Sequence, residues 1–440
     1  MTALNKDSSD PSLRPSVLWL GMDLETSLFK YGFLLRRLSR GGVPDLELDD
    51  VSGVLPRFDS FNGKGFTFGE PPWRSAKLHI SDGAASSSCE EAWLAFSSDP
   101  YYHQKLPQKS TGLLYHGQYG SRIHLISMSG NDEEIDGALR FIPQYKKIEL
   151  VDCCNGLVLC RYKSWFTSQG IRRFIVCNPA TEEWMELPVL NTPYGPHVSS
   201  YTAFLAYDPS WSAQFYVFNF QEKLRNTSRV VNKLEVFSSD LSTWLVDDTW
   251  SGNHRIFVNE RHNFTKGVLH VQTMCDEIVV FEGLEAMSSG KSPYHHTIKL
   301  PGDCRDGCFG QSAGFLQCAF PEKDVGTIVV FSLDAYRPCK WSLKHCLCMR
   351  DVFGTDNSLL KGEYWSWLHD YSIVALDLER EEVLVLFRKE TNNLLSYNIG
   401  TGKLSEIKDG QLDEQWDCYC YAACYSKVPG LSRLFHVTEQ

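Results

Sequence analysis

The sequence predicts an all-β fold, a β-propeller of six or seven blades preceded by an irregular, partly helical N-terminal segment. Three observations carry that expectation. From about Gly112 onward the chain is a succession of short β-type runs broken by turn residues, with no long amphipathic helix between them. Within that region one hairpin phrase keeps returning. Aromatic residues make up 13% of the chain, and they favour the half-buried faces of pleated sheets.

The N-terminal part reads differently. Residues 1–15 are polar and Pro-containing. From Asp23 to Arg40, Leu24, Leu28, Leu35 and Leu38 recur at roughly helical spacing, and Gly41-Gly42 stops the pattern. Residues 43–88 are rich in Gly, Pro and Ser, as in Pro71-Pro72 and Ser86-Ser87-Ser88. The division expected is therefore a divergent segment over 1–88, a helical connector over 89–110, the propeller over 111–426 and a tail over 427–440.

The recurring phrase is a β run, a polar turn and a second run opening on Trp or a large aliphatic. It reads Val176-Cys177-Asn178-Pro179-Ala180-Thr181-Glu182-Glu183-Trp184, then Val236-Phe237-Ser238-Ser239-Asp240-Leu241-Ser242-Thr243-Trp244. Further copies run from Val330-Phe331 to Trp341, from Ser396-Tyr397-Asn398 to Leu404 and, more loosely, from Val279-Val280-Phe281 to Ile298. The markers Trp184, Trp244, Ile298, Trp341 and Leu404 stand 60, 54, 43 and 63 residues apart, close to a kelch-like period of roughly 50 residues. A small sheet of this size cannot bury both faces alone, whereas radial stacking buries them and leaves only short edges. Five marked units and a divergent one over 111–150 make six or seven blades.

Composition narrows the function. The net charge is −11, which repels phosphate backbones, so no nucleic-acid partner is expected. The basic cluster Arg36, Arg37 and Arg40 reads as a solvated helix face. Val17–Leu20 is too short to cross a bilayer, and Met1–Pro15 lacks the features of an export signal. A cytoplasmic or nuclear protein with 15 reduced cysteines is expected. Cys304-x3-Cys308, Cys346-x-Cys348 and Cys418-x-Cys420-x3-Cys424 form no recognised zinc framework, so no metal is expected. The pair His295-His296 reads as a solvated loop. No nucleophile elbow, P-loop or dinucleotide turn occurs, so neither catalytic residues nor a cofactor are expected.

Several phrases resemble the plant F-box family whose members carry an F-box-associated, kelch-like propeller. The strongest is Val151-Asp152-Cys153-Cys154-Asn155-Gly156-Leu157 followed by Cys177-Asn178-Pro179-Ala180-Thr181. Ala206-Tyr207-Asp208-Pro209 and the terminal Cys418-Tyr419-Cys420-Tyr421 are similar too, the latter where such propellers end on a closing strand. Glu91–Tyr102 resembles the tail of the F-box, and this resemblance implies adaptor-facing roles for Trp93, Leu94, Phe96, Asp99 and Pro100. The Leu-x-x-Ile-Leu-x-x-Leu core of that motif's earlier helices has no counterpart before Glu91.

The resemblance implies a non-enzymatic protein-binding module, the substrate-recognition subunit of an SCF ubiquitin ligase working with a Skp-type adaptor and a cullin. The alternative is an adaptor-independent scaffold or decoy, and a propeller enzyme is a third reading. Two inter-strand loops rich in exposed aromatics are the candidate partner-binding elements: Tyr194, His197 and Tyr201 in one, Tyr364, Trp365 and Trp367 in the other. Packing between blades competes with binding for each of them.

Overall fold

The computed structural model describes residues 112–116, 122–127, 135–163, 173–190, 198–225, 228–247, 262–273, 276–289, 291–302, 307–312, 314–322, 326–353, 371–376, 383–389, 391–411 and 418–432. All belong to one compact unit that spans residues 97–440. The helix expected over 23–40 and the connector over 89–110 lie outside the described residues.

Six antiparallel sheets make the fold, so the blade number is six. Blade 1 is β3 (Ile148–Cys154), β4 (Leu157–Tyr162), β5 (Phe174–Asn178) and β6 (Glu183–Glu186). Blade 2 is β7 (Val198–Tyr207), β8 (Phe215–Arg225), β9 (Ser228–Ser238) and β10 (Thr243–Asp247). Blade 3 is β11 (His262–Thr265), β12 (Val268–Gln272), β13 (Glu277–Glu282) and β14 (Tyr294–Lys299). Blade 4 is β15 (Cys308–Ser312), β16 (Phe315–Pro321), β17 (Thr327–Tyr336) and β18 (Cys339–Cys348). Blade 5 is β19 (Tyr371–Leu376), β20 (Val383–Arg388), β21 (Asn393–Asn398) and β22 (Lys403–Gln411). The closing blade joins the two ends of the unit: β23 (Cys418–Tyr421) pairs with β1 (Gly112–His116), which pairs with β2 (Ile123–Ser127).

The first strand of each of blades 1 to 5, and β23 in the closing blade, lies innermost. Contacts run β3 to β7, β7 to β11, β11 to β15, β15 to β19, β19 to β23 and β23 back to β3, which closes the ring. The apolar cores sit at the blade junctions. One joins Phe218 and Phe220 of blade 2 to Phe281 of blade 3, with ring centroids 5.4 and 5.8 Å apart. Another joins Leu114 and Tyr421 of the closing blade to Ile148, Val158 and Ile175 of blade 1.

The repeated phrase is the hairpin between the third and outermost strands. Trp184 pairs with Cys177, Trp244 with Phe237, Trp341 with Leu333 and Leu404 with Tyr397. Three copies share one turn geometry. The Asn178 side chain accepts from Ala180 N (3.0 Å) and that of Asn398 from Thr401 N (2.8 Å). Four residues on, Glu182, Ser242 and Gly402 take φ of 59°, 50° and 66°. An Asx-type acceptor followed by a left-handed residue is what turns the chain. The Trp side chains then tie blades together: Trp244 Nε1 donates to Pro188 O (2.7 Å) in the link from blade 1, and Trp341 Nε1 to Lys299 O (2.9 Å) of blade 3.

Asn155 and Gly156, with φ of 47° and 91°, form the two-residue turn between β3 and β4, as their sequence predicts. Lys266-Gly267, at 51° and 79°, repeats it between β11 and β12. Beyond β23 the chain crosses blade 1 from the inside out. Asn178 Nδ2 donates to Cys424 O (2.8 Å), Val428 and Leu431 are buried, and Ser432 bridges the outer strand at Trp184.

Two expectations are corrected. His295 and His296 lie in β14 and not in a loop: each is paired in the sheet, opposite Phe281 and Val280. Tyr201 is no loop residue either, because β7 extends from Val198 through Tyr207 and takes it into the innermost strand of blade 2.

Candidate functional site

The six innermost strands surround a cavity of about 640 Å³ on the propeller axis, within the size range of ligand pockets. Every blade contributes to its wall, among them Asp152 from β3, Thr202 from β7, His262 from β11, Gln311 from β15, Ser372 from β19 and Tyr419 from β23.

Its most polar feature is a buried carboxylate–imidazole contact between blades. Asp152 Oδ2 lies 3.1 Å from His262 Nε2, with the two side chains 1% and 7% exposed. Asp152 also accepts from Leu205 N (2.6 Å) and from Cys153 N (2.7 Å). His262 Nε2 lies 3.0 Å from Leu205 O, so this nitrogen faces two acceptors and carries the proton. Burial raises the Asp152 carboxyl above its ordinary value, while His262 and the two backbone donors pull the other way. Three blade strands meet at this one carboxylate, because Asp152 is on β3, Leu205 on β7 and His262 on β11.

The rest of the inner ring uses the same device, a side-chain donor on one blade and a backbone carbonyl on the next. Asn155 Nδ2 donates to Tyr207 O (2.6 Å) and Cys154 Sγ to the same oxygen (3.3 Å). Cys153 Sγ donates to Cys420 O (3.5 Å), Cys420 Sγ to Leu376 O (3.9 Å) and Tyr419 Oη to Val151 O (2.8 Å). The family-like Asp-Cys-Cys-Asn run is thus a set of latches. Burial raises the Cys153 and Cys154 thiols well above the ordinary thiol value, which keeps them protonated and poor nucleophiles at neutral pH. Among the described residues no three His, Cys, Asp or Glu side chains converge as a metal centre would require.

Of the aromatic candidates, Tyr201 is described: it lines the cavity and its hydroxyl accepts from Gln221 Nε2 (3.0 Å). Tyr194, His197, Tyr364, Trp365 and Trp367 lie outside the described residues, as do Trp93, Leu94, Phe96, Asp99 and Pro100. Asp152 was legible only as part of a turn phrase. His262 carries no local signal at all, since its partner is more than a hundred positions away. A run of alternating polar residues entering an inner strand is the one hint such a pair leaves.

No curated protein matches the chain in sequence. Among solved structures it is similar to a chain of a nidogen/laminin complex (13% identity, 70% of this chain and 96% of that one, TM-score 0.35). It is also similar to a protein from Lactobacillus plantarum (10% identity, 72% and 98%, TM-score 0.36) and to the Cps50 (Swd1) β-propeller domain of Myceliophteria thermophila (13% identity, 70% and 86%, TM-score 0.33). At that distance none of the three carries an argument. The family described as F-box protein At3g26010-like, beta-propeller, matches residues 132–436. That stretch takes in five whole blades, the closing strand and the chain that crosses blade 1, and on it this protein belongs to the F-box protein At3g26010-like β-propeller family.

Proposed function

We propose that this protein is a non-enzymatic, protein-binding propeller that serves as the substrate-recognition subunit of an SCF-type ubiquitin ligase. Membership of an F-box-protein propeller family over residues 132–436 carries the reading. The inner-ring chemistry supports it, because its acids, imidazole and thiols are engaged in holding blades together. The ligase supplies the chemistry and this chain supplies the grip, acting in the cytoplasm or nucleus. Trp93, Leu94, Phe96, Asp99 and Pro100 face the Skp-type adaptor.

The test is co-purification of the full chain with a recombinant Skp-type adaptor, beside a chimera carrying a complete F-box. Capture of the adaptor by the natural chain, lost on Trp93→Ala/Leu94→Ala, supports the ligase role. Capture by the chimera alone assigns the adaptor-independent scaffold.

A further inference from the structure

Several polar side chains of the axial cavity are committed to the seams between blades. Asp152 accepts two backbone N–H groups, Asn155 donates to Tyr207 O and Tyr419 to Val151 O. Arg161 is tied to Glu149. His262 is committed by half only. Nε2 of its ring serves the seam, 3.1 Å from Asp152 Oδ2 and 3.0 Å from Leu205 O. With the proton on that nitrogen, the ring keeps its lone pair on Nδ1. Nδ1 has no hydrogen-bond partner among the described residues. The ring is held in place, because Phe204 lies against it with centroids 4.8 Å apart and the side chain is only 7% exposed. Asn263 Oδ1, one residue on, is sealed from any occupant of the cavity, whereas His262 Nδ1 is not. The inner wall therefore carries a fixed acceptor that the fold itself does not use.

Blades 4 and 5, across the axis from blades 1 and 2, supply further unengaged groups. Gln311 of β15 and Ser372 of β19 line the cavity half-buried, and neither side chain has a hydrogen-bond partner among the described residues. Gly310 lines it beside Gln311, and a Cβ there would meet nothing within 4 Å. Phe309, Val374 and Phe387 give the same wall apolar patches.

We infer that the axial cavity is a binding site for a small uncharged molecule that donates a hydrogen bond, from a hydroxyl or an amide, to His262 Nδ1. A lone pair held in a wall requires a donor opposite it. The other unengaged groups, a carboxamide and a hydroxyl, are uncharged too, so an ion would lose its water without gaining a counter-charge from them. The apolar patches suit an apolar body beside the donor, and about 640 Å³ is the scale of a small ligand. The inference goes beyond the ligase role and does not depend on it.

Saturation-transfer difference NMR on the full-length protein at neutral pH tests it with three probes. Phenol has a donor, anisole has the same ring without one, and benzoate has the ring with a charge. Phenol should bind roughly fivefold more tightly than anisole or benzoate, the worth of one hydrogen bond. Gly310→Phe, which places a ring in the empty space, should weaken phenol at least about tenfold, while Gly310→Ala keeps it within about twofold. His262→Gln retains an N–H for Asp152 but removes the Nδ1 lone pair, and it should bring phenol down to the level of anisole. Circular dichroism matching the natural protein guards against unfolding, and if His262→Gln does not fold the two Gly310 variants decide. No phenol binding, anisole or benzoate binding as tightly as phenol, or phenol binding undiminished in Gly310→Phe would each overturn the inference. None of these outcomes bears on capture of the adaptor.

Discussion

Asp152 shows how one side chain can organise three blades. Its carboxylate has two backbone donors and an imidazole, all buried. Removing it takes away one of the two acceptors of His262 Nε2 and leaves the Leu205 amide without its carboxylate. Asp152→Ala should therefore cost about 2 kcal/mol, the scale for leaving a buried donor unsatisfied. Urea unfolding reads that cost, and a double-mutant cycle with His262→Ala should show strong coupling between the two. His270 gives a pH dependence of definite sign. It is fully buried between Tyr336 Oη (2.8 Å) and Asn263 O (3.2 Å), and burial lowers its pKa from 6.5 to about 4. The unfolded imidazole takes its proton first. Stability contributed by neutral His270 is thus complete above pH 6.5 and is lost as pH falls towards 4, by roughly 3 kcal/mol. Chemical denaturation at pH 7, 5.5 and 4.5 should show that slope, and His270→Gln should flatten it.

At the scale of elements, the hairpin phrase was legible because its signals are local. An Asn or Ser acceptor, a left-handed residue and a Trp or Leu lie within seven positions, and the structure repeats that arrangement in blades 1, 2 and 5. Tyr201 and His295-His296 were misplaced for the opposite reason. Polar residues inside a strand look like loop until other strands supply partners, as Gln221 of β8 does for Tyr201 and Arg337 of blade 4 for His296. The pairing of Asp152 with His262 was invisible on the same grounds. Glycine at the β3–β4 turn is a local signal with a steep penalty behind it. Gly156 has φ +91°, and a Cβ there would meet Cys424 Cβ at 2.4 Å and Ala422 O at 2.5 Å. Gly156→Ala should lose more than about 2 kcal/mol, through strain and overpacking together. Gly310→Ala, whose Cβ would meet nothing within 4 Å, should stay within about 0.5 kcal/mol. Paired thermal melts decide between them.

For the whole molecule, the ring depends on contacts made by the last residues described. Val428 and Leu431 are buried against the core shared by blades 1, 2 and 3, and Ser432 caps the outer edge of blade 1 at Trp184. Val428→Asp should therefore lower the melting temperature by several degrees, on the order of 2–4 °C per kcal/mol for a domain of this size. Scanning calorimetry should show one transition moved as a unit. Two transitions would mean that blades unfold separately, as stacked repeats can. This long-range seam is also what the sequence concealed most completely, since nothing in the run after Tyr421 announces which blade it will cross.

Closure of the sixth blade has a consequence for biosynthesis. Strands β1 and β2 leave the ribosome early, yet their inner partner, Cys418–Tyr421, is about three hundred residues behind. At roughly 5–20 residues per second that is a wait of the order of tens of seconds. During it the nascent chain holds an unfinished wheel with a bare edge on each side of the gap, which makes this interval the period of greatest need for chaperone cover.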